Sequence, residues 1–214
     1  MKRGRWSVRT GLVGLLVGLA VLACSDSSGP PDTNIRPPGQ LNILRLAQGA
    51  PPLFQDTVSF WARYDQDSEA FIYFQDSQGG QGEKYLDFKV PKFALLSRPD
   101  GTGFAPGDSI LISIRVVNPD SLLFEFQPAG LKFNPLKPAE FSLEYNHAGG
   151  DGGEGDYNDD GVVNAADDTV ESELALWQQE NPGDSFVKLS TLLEVELDEI
   201  EAKILGFSRY ALAY

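Results

Sequence analysis

From Leu41 onward, run after run of this chain alternates apolar and polar residues, and no other feature limits its folding choices as much. In Val58-Ser59-Phe60-Trp61-Ala62-Arg63-Tyr64 the apolar face is Val58, Phe60, Ala62 and Tyr64. In Ile110-Leu111-Ile112-Ser113-Ile114-Arg115-Val116 it is Ile110, Ile112, Ile114 and Val116, and Phe141, Leu143 and Tyr145 alternate with Ser142 and Glu144. A period of two puts one face on a core and the other in water, as in half-buried antiparallel strands. Further strands are predicted at 41–47, 70–75, 85–90, 122–127, 187–197 and 200–214. Turn residues separate them at Gln78-Gly79-Gly80, Arg98-Pro99-Asp100-Gly101, Pro106-Gly107-Asp108 and Asn118-Pro119-Asp120. Eight to ten short strands with this punctuation predict an all-β fold, an antiparallel sandwich or barrel. The chain has no internal repeat.

Composition removes several function classes. Seventeen Lys and Arg stand against 31 Asp and Glu, a net charge of −14, which denies the chain the basic footprint of a nucleic-acid binder. One histidine (His147) and one cysteine (Cys24) exclude His clusters, disulfides and zinc-thiolate sites.

The amino terminus is an address. Lys2, Arg3, Arg5 and Arg9 precede an uncharged run from Gly11 to Ala23, whose 13 residues suit a signal-peptide core and are short for a membrane span. The run ends in Val21-Leu22-Ala23-Cys24, which resembles the lipobox of bacterial lipoproteins, with Val21 where that family more often has Leu. The resemblance implies cleavage before Cys24, acylation of that residue and anchoring in the cell envelope. Ser25, where inner-membrane lipoproteins often carry Asp, directs the expectation to the outer membrane. Several acyl chains, at about 0.8 kcal/mol per buried methylene, hold a protein permanently. Loss of the leader removes four positive charges and deepens the net charge to −18. Anionic lipid repels such a chain, so the lipid must do the anchoring. The expected organisation is a signal peptide over 1–23, a Pro/Ser/Gly-rich tether over 24–40 and one domain over 41–214.

One segment carries chemistry. From Pro138 to Val187 there is no Lys or Arg but there are 13 acids. Within an acidic insertion at 146–172 lies Asp156-Tyr157-Asn158-Asp159-Asp160-Gly161-Val162-Val163-Asn164-Ala165-Ala166-Asp167. Read as a twelve-residue loop, it has oxygen-bearing side chains at positions 1, 3, 5, 9 and 12, glycine at 6 and a β-branched residue at 8, the EF-hand arrangement. Calcium takes six to eight hard oxygens at about 2.3–2.6 Å. Asp156, Asn158 and Asp160 can converge on one point, Gly161 permits the sharp reversal, and Val162 offers its carbonyl. Asn164 acts directly or through water, and Asp167 closes the sphere from the start of an exit helix expected at about 165–172. Val163 is expected to anchor the loop in the core. Calcium is favoured over magnesium, which demands a stricter octahedron.

Asp167 replaces the usual Glu, and in this the loop resembles that of dockerins. Dockerins capture a partner through two such loops and this sequence has one, so the expected role is a structural calcium staple. A second resemblance rests on Phe124-Glu125-Phe126-Gln127-Pro128-Ala129-Gly130-Leu131-Lys132-Phe133 and on Gly206-Phe207-Ser208-Arg209-Tyr210-Ala211. Together these look like the β-sandwich domain shared by netrin receptors and ankyrins, a non-enzymatic fold. The resemblance implies an antiparallel β-sandwich, from whose family pattern the inserted EF-hand-like loop and its short helix depart.

His147 reads as a surface residue without an acid–serine partner, and the acidic run 149–155 cannot cradle phosphate. Tyr64 and Phe71 are expected to face the core, leaving Trp61 as the exposed aromatic. The reading is therefore a lipid-anchored, calcium-binding, non-enzymatic surface sandwich with no catalytic residues, whose partners are the membrane and a cell-surface protein or glycan. Its alternatives are a carbohydrate-binding module centred on Trp61 and a glycoside hydrolase using two convergent acids.

Overall fold

The alternating runs become strands, and their apolar faces meet. The computed structural model describes residues 34–118 and 120–214. The expected leader, Cys24 and most of the tether lie outside the described residues. The described chain begins with β1 (Ile35–Arg36) and a 3-10 turn at Pro38–Gln40, then forms β2 (Thr57–Arg63), β3 (Ser68–Gln75), β4 (Gln81–Val90) and β5 (Leu95–Ser97). Next come β6 (Ser109–Val116), β7 (Leu123–Gln127), β8 (Lys132–Phe133) and β9 (Ala139–Glu144). A small hairpin of β10 (Gly149–Gly150) and β11 (Gly153–Glu154) opens the acidic segment, which ends in helix α1 (Ala165–Glu173). The chain closes with β12 (Ala175–Gln179), β13 (Phe186–Lys188), β14 (Thr191–Glu194), β15 (Glu199–Ile204) and β16 (Arg209–Ala213).

Two antiparallel sheets face each other. One has seven strands in the order β1-β13-β12-β16-β7-β6-β2, the other five in the order β14-β15-β9-β4-β3. Their inner faces share a core rich in aromatic rings: Phe126 of β7 packs against Phe88 of β4 at 5.2 Å, and Phe124 against Phe141 of β9 at 5.7 Å. A register shift between Ile72 and Tyr73 lets consecutive residues Tyr85 and Leu86 both turn inward, which strict alternation forbids. A smaller apolar cluster covers part of the seven-stranded sheet elsewhere, where Leu41 meets Ala175, Trp177, Phe186, Ala211 and Ala213.

The structure departs from the predicted strands at three places. Residues 41–47 form no strand: they touch three different partners through single bridges, Ile43 to Ala213, Arg45 to Ser121 and Leu46 to Ala148, so no ladder can build. The run 187–197 divides because the chain crosses from one sheet to the other near Ser190 and then tightens into a 3-10 turn at Val195–Leu197. The run 200–214 is two strands in opposite sheets, broken at Gly206, where a Cβ would stand 3.2 Å from the Leu131 carbonyl oxygen. The last part of the expected tether is also engaged, since Ile35 and Arg36 pair with Val187 and Phe186.

On the outer face of the five-stranded sheet, Glu144 sits opposite Glu199 and 3.6 Å from Lys84. Burial pushes its carboxyl above the ordinary range; Lys84 opposes that, and Glu199 adds to it. The native state therefore keeps this proton to higher pH than the unfolded chain. Its stabilising contribution is complete below the ordinary value of 4.5 and is lost as pH rises through the raised folded value. Urea denaturation across this range should show that Glu144→Gln removes part of the stability loss that the parent protein suffers on going from acid to neutral pH. An unchanged pH profile would contradict this assignment.

Candidate metal centre

The acidic loop is built by its own backbone hydrogen bonds. Gly161 adopts φ of +86°, the left-handed conformation that glycine enters without a steric penalty, and Asp159 also sits there at +57°. Asn164 caps α1: its Oδ1 accepts from the Ala166 amide at 2.9 Å, while Asp167 Oδ2 accepts from the Asn164 amide at 2.8 Å. This reciprocal cap fixes where the helix starts and holds Asp167 at its third position.

All six predicted donors are joined in one network. Asp156 Oδ1 accepts from the Asp160 amide at 3.1 Å, and its Oδ2 from the Gly152 and Gly161 amides at 2.8 and 3.0 Å. Asn158 Oδ1 accepts from the Asp160 amide at 2.9 Å, and the Asn158 amide donates to Asp167 Oδ1 at 3.1 Å. Asp160 Oδ1 accepts from the Val162 amide at 3.0 Å, and Asn164 Nδ2 reaches the Val162 carbonyl at 2.7 Å. Among the described residues, no three or more Asp, Glu, His and Cys side chains converge closely enough to hold a metal by themselves. A cation here needs the Asn158 and Asn164 side chains and the Val162 carbonyl as well as carboxylates.

The donor chemistry fits a hard divalent ion. Asp156 is 0% exposed and Asp167 1%, and neither they nor Asp160 forms an ion pair with any described Lys, Arg or His. A carboxylate oxygen has two lone pairs, so Asp156 Oδ1 and the oxygens of Asp160 and Asp167, which accept one N–H each, keep capacity for a metal, whereas Asp156 Oδ2 already accepts two amides. Burying carboxylates without a compensating cation is costly. Among the described residues, the one basic side chain ion-paired to the loop is Arg45, which reaches Asp159 at 2.9 Å, a position outside the donor set.

Two expectations need correcting. Val163 does not anchor the loop, being 55% exposed. Tyr157 does so instead: its ring packs edge-on against Tyr145 at 6.1 Å and against the main core. Tyr145 donates to Glu171 Oε1 at 3.1 Å, so the loop, the helix and β9's continuation meet at this pair. The sequence offered no period for Tyr157 to match; only its place beside the first loop aspartate marks it. Thermal denaturation should accordingly find Tyr157→Ala destabilised by about 2–3 kcal/mol and Val163→Ala by less than about 0.5 kcal/mol. Equal effects would return the anchor to Val163.

His147 is likewise no free surface residue. Its ring lies between Glu154 at 2.5 Å and Glu83 at 3.1 Å, edge-on to Phe74 at 4.8 Å. The aromatic residues considered for sugar binding do not form one platform. Trp61 is 61% exposed on the outer face of the seven-stranded sheet. Tyr64 turns to the core against Phe93, whereas Phe71 faces outward with Tyr73 on the five-stranded sheet because Ala70, Ile72 and Phe74 take the inner face of β3.

No family model matches this chain, and no curated protein and no solved structure matches it.

Proposed function

We propose that the protein is a lipid-anchored, non-enzymatic surface β-sandwich in which one calcium ion staples the acidic insertion to the domain. The observation that carries this reading is the pair of fully buried carboxylates, Asp156 and Asp167, held in an EF-hand-like loop without a cationic side chain among the described residues to balance them. Asp156, Asn158, Asp160, the Val162 carbonyl, Asn164 and Asp167 would hold the ion. Bound calcium would supply positive charge there, not chemistry. The likeness of the loop to those of dockerins, and of the sandwich to the netrin-receptor and ankyrin domain, supports a structural or adhesive role. The lipobox-like Val21-Leu22-Ala23-Cys24 supports an envelope anchor at Cys24.

Two experiments test the two halves of this reading. Terbium, which replaces calcium at oxygen sites, should give tyrosine-sensitised emission from Tyr157 beside the loop. Excess calcium should quench that emission, and Asp156→Ala should abolish it. Emission that survives the substitution would refute the site. Labelled palmitate fed to expressing bacteria should enter the parent protein and not Cys24→Ser; equal labelling would refute the anchor.

A further inference from the structure

The outer face of the five-stranded sheet carries a row of residues paired directly across all five strands: Phe71, Asp87, Ser142, Glu201 and Leu192. Beside it runs a row of alternating charge, Glu69, Lys89, Glu140 and Lys203. Inter-strand steps of about 4.8 Å make the five-residue row roughly 19 Å long and the four-residue row roughly 14 Å. Residues of both rows, though not Phe71 or Glu69 at the edge strand, line a cleft of about 500 Å³ that holds Asp87, Lys89, Glu140, Ser142, Glu201 and Lys203. A second depression shares Lys89 and Glu140 with it and extends towards Asp67 and Glu69.

Asp87 distinguishes this face from an ordinary solvated surface. It is 5% exposed, and its Oδ2 lies 3.1 Å from Lys89 Nζ and 3.8 Å from Lys84 Nζ. Its Oδ1 has no hydrogen-bond partner, alone among the carboxylate oxygens that are fully enclosed in the described residues. A buried carboxylate oxygen lacking a donor is costly, and a native site normally supplies one. Asp87 lines the cleft, and Lys89, which holds its other carboxylate oxygen, is half exposed beside it.

We propose that this face binds a neutral polysaccharide chain lying across the strands, with Asp87 accepting from sugar hydroxyls. The chemistry selects that class. An anion would meet Asp87, Glu140 and Glu201, and a cation would meet Lys89 and Lys203. A chain of uncharged hydroxyls can donate to the carboxylates and accept from the amines. Phe71, beside Asp87 on the edge strand and paired with Tyr73 at 5.8 Å, gives a sugar ring an apolar face to rest on. An extended peptide would add to a sheet edge and gain backbone hydrogen bonds, which the face of a sheet does not offer. This binding face uses no residue of the metal loop, so it stands or falls independently of calcium.

Native electrophoresis through gels containing hydroxyethylcellulose, xylan, laminarin or galactomannan tests the proposal. At least one of these should retard the protein. Phe71→Ala and Lys203→Ala, both compatible with folding, should each weaken the retardation at least fivefold, and Asp87→Asn should do the same if circular dichroism shows it folded. Trp61→Ala, on the opposite sheet, should bind as the parent does. Absence of retardation in all four polysaccharides would overturn the proposal, as would unchanged retardation of Phe71→Ala and Lys203→Ala.

Discussion

Removing calcium should lower the melting temperature of this protein by about 5–10 °C. A ligand present at a hundred times its dissociation constant stabilises the folded state by about 2.7 kcal/mol. In a domain of this size each kcal/mol moves the midpoint by roughly 2–4 °C. The expected gain rests on Asp156 and Asp167 being buried without an ion-paired basic side chain among the described residues, a cost that a bound cation would remove. Calorimetric melts in millimolar calcium and in chelator should therefore differ for the parent and coincide for Asp156→Ala. That variant should also melt below the parent in chelator, because the Asp156 carboxylate accepts three backbone amides that alanine leaves unsatisfied. Coincident melts for the parent would mean that the ion, if it binds, is no staple.

Phe126→Ala should be the other damaging substitution, costing about 3–5 kcal/mol and roughly 6–20 °C in melting temperature. Phe126 is fully buried where the two sheets meet. Its ring contacts Phe88 at 5.2 Å, Phe207 at 5.3 Å, Tyr210 at 5.2 Å and Phe141 at 6.0 Å. A cavity there removes packing from both sheets at once, and surrounding aromatic rings collapse poorly into it. Leu136→Ala, at a site open to solvent, should change stability by no more than about 0.5 kcal/mol. Chemical denaturation measures both; a small loss at Phe126 would contradict the packing of one sheet on the other.

Local signals in the sequence were read more faithfully by the fold than distant ones. The alternation of Val58 to Tyr64 and of Ile110 to Val116 gives strands Thr57–Arg63 and Ser109–Val116, which pair with each other. The helix predicted at 165–172 is observed at Ala165–Glu173, because Asn164 and Asp167 write its cap within four residues. The crossings between sheets near Ser190 and at Gly206 were hidden. Apolar residues continue on both sides of each crossing, Val187, Leu189, Leu192 and Leu193 at the first and Ile204, Leu205 and Phe207 at the second, where the backbone passes close to the Leu131 carbonyl. Residues 41–47 mislead for a different reason: they are rich in apolar residues, but Leu41, Leu44 and Ala47 are buried at every third position and the bridges go to three separate elements.

The candidate metal loop was legible as a linear pattern, including the backbone reversal at Gly161. Its attachment was not, since the motif's β-branched position favoured Val163 and the fold uses Tyr157. Phe71 was assigned inward when treated as one of a group of aromatics. The phase of β3, set by Ala70, Ile72 and Phe74, turns it outward. Asp87 has no sequence signal at all, because its burial depends on lysines and a serine brought from its own and the neighbouring strand.

The claim on which the account depends is that six oxygen donors of one loop take up a single divalent cation. Titration calorimetry of the purified protein with calcium measures this directly. The account predicts one binding event per chain, lost in Asp156→Ala and in Asp160→Ala while both variants remain folded. Heats that are absent at millimolar calcium, or that are the same in parent and variants, would contradict it.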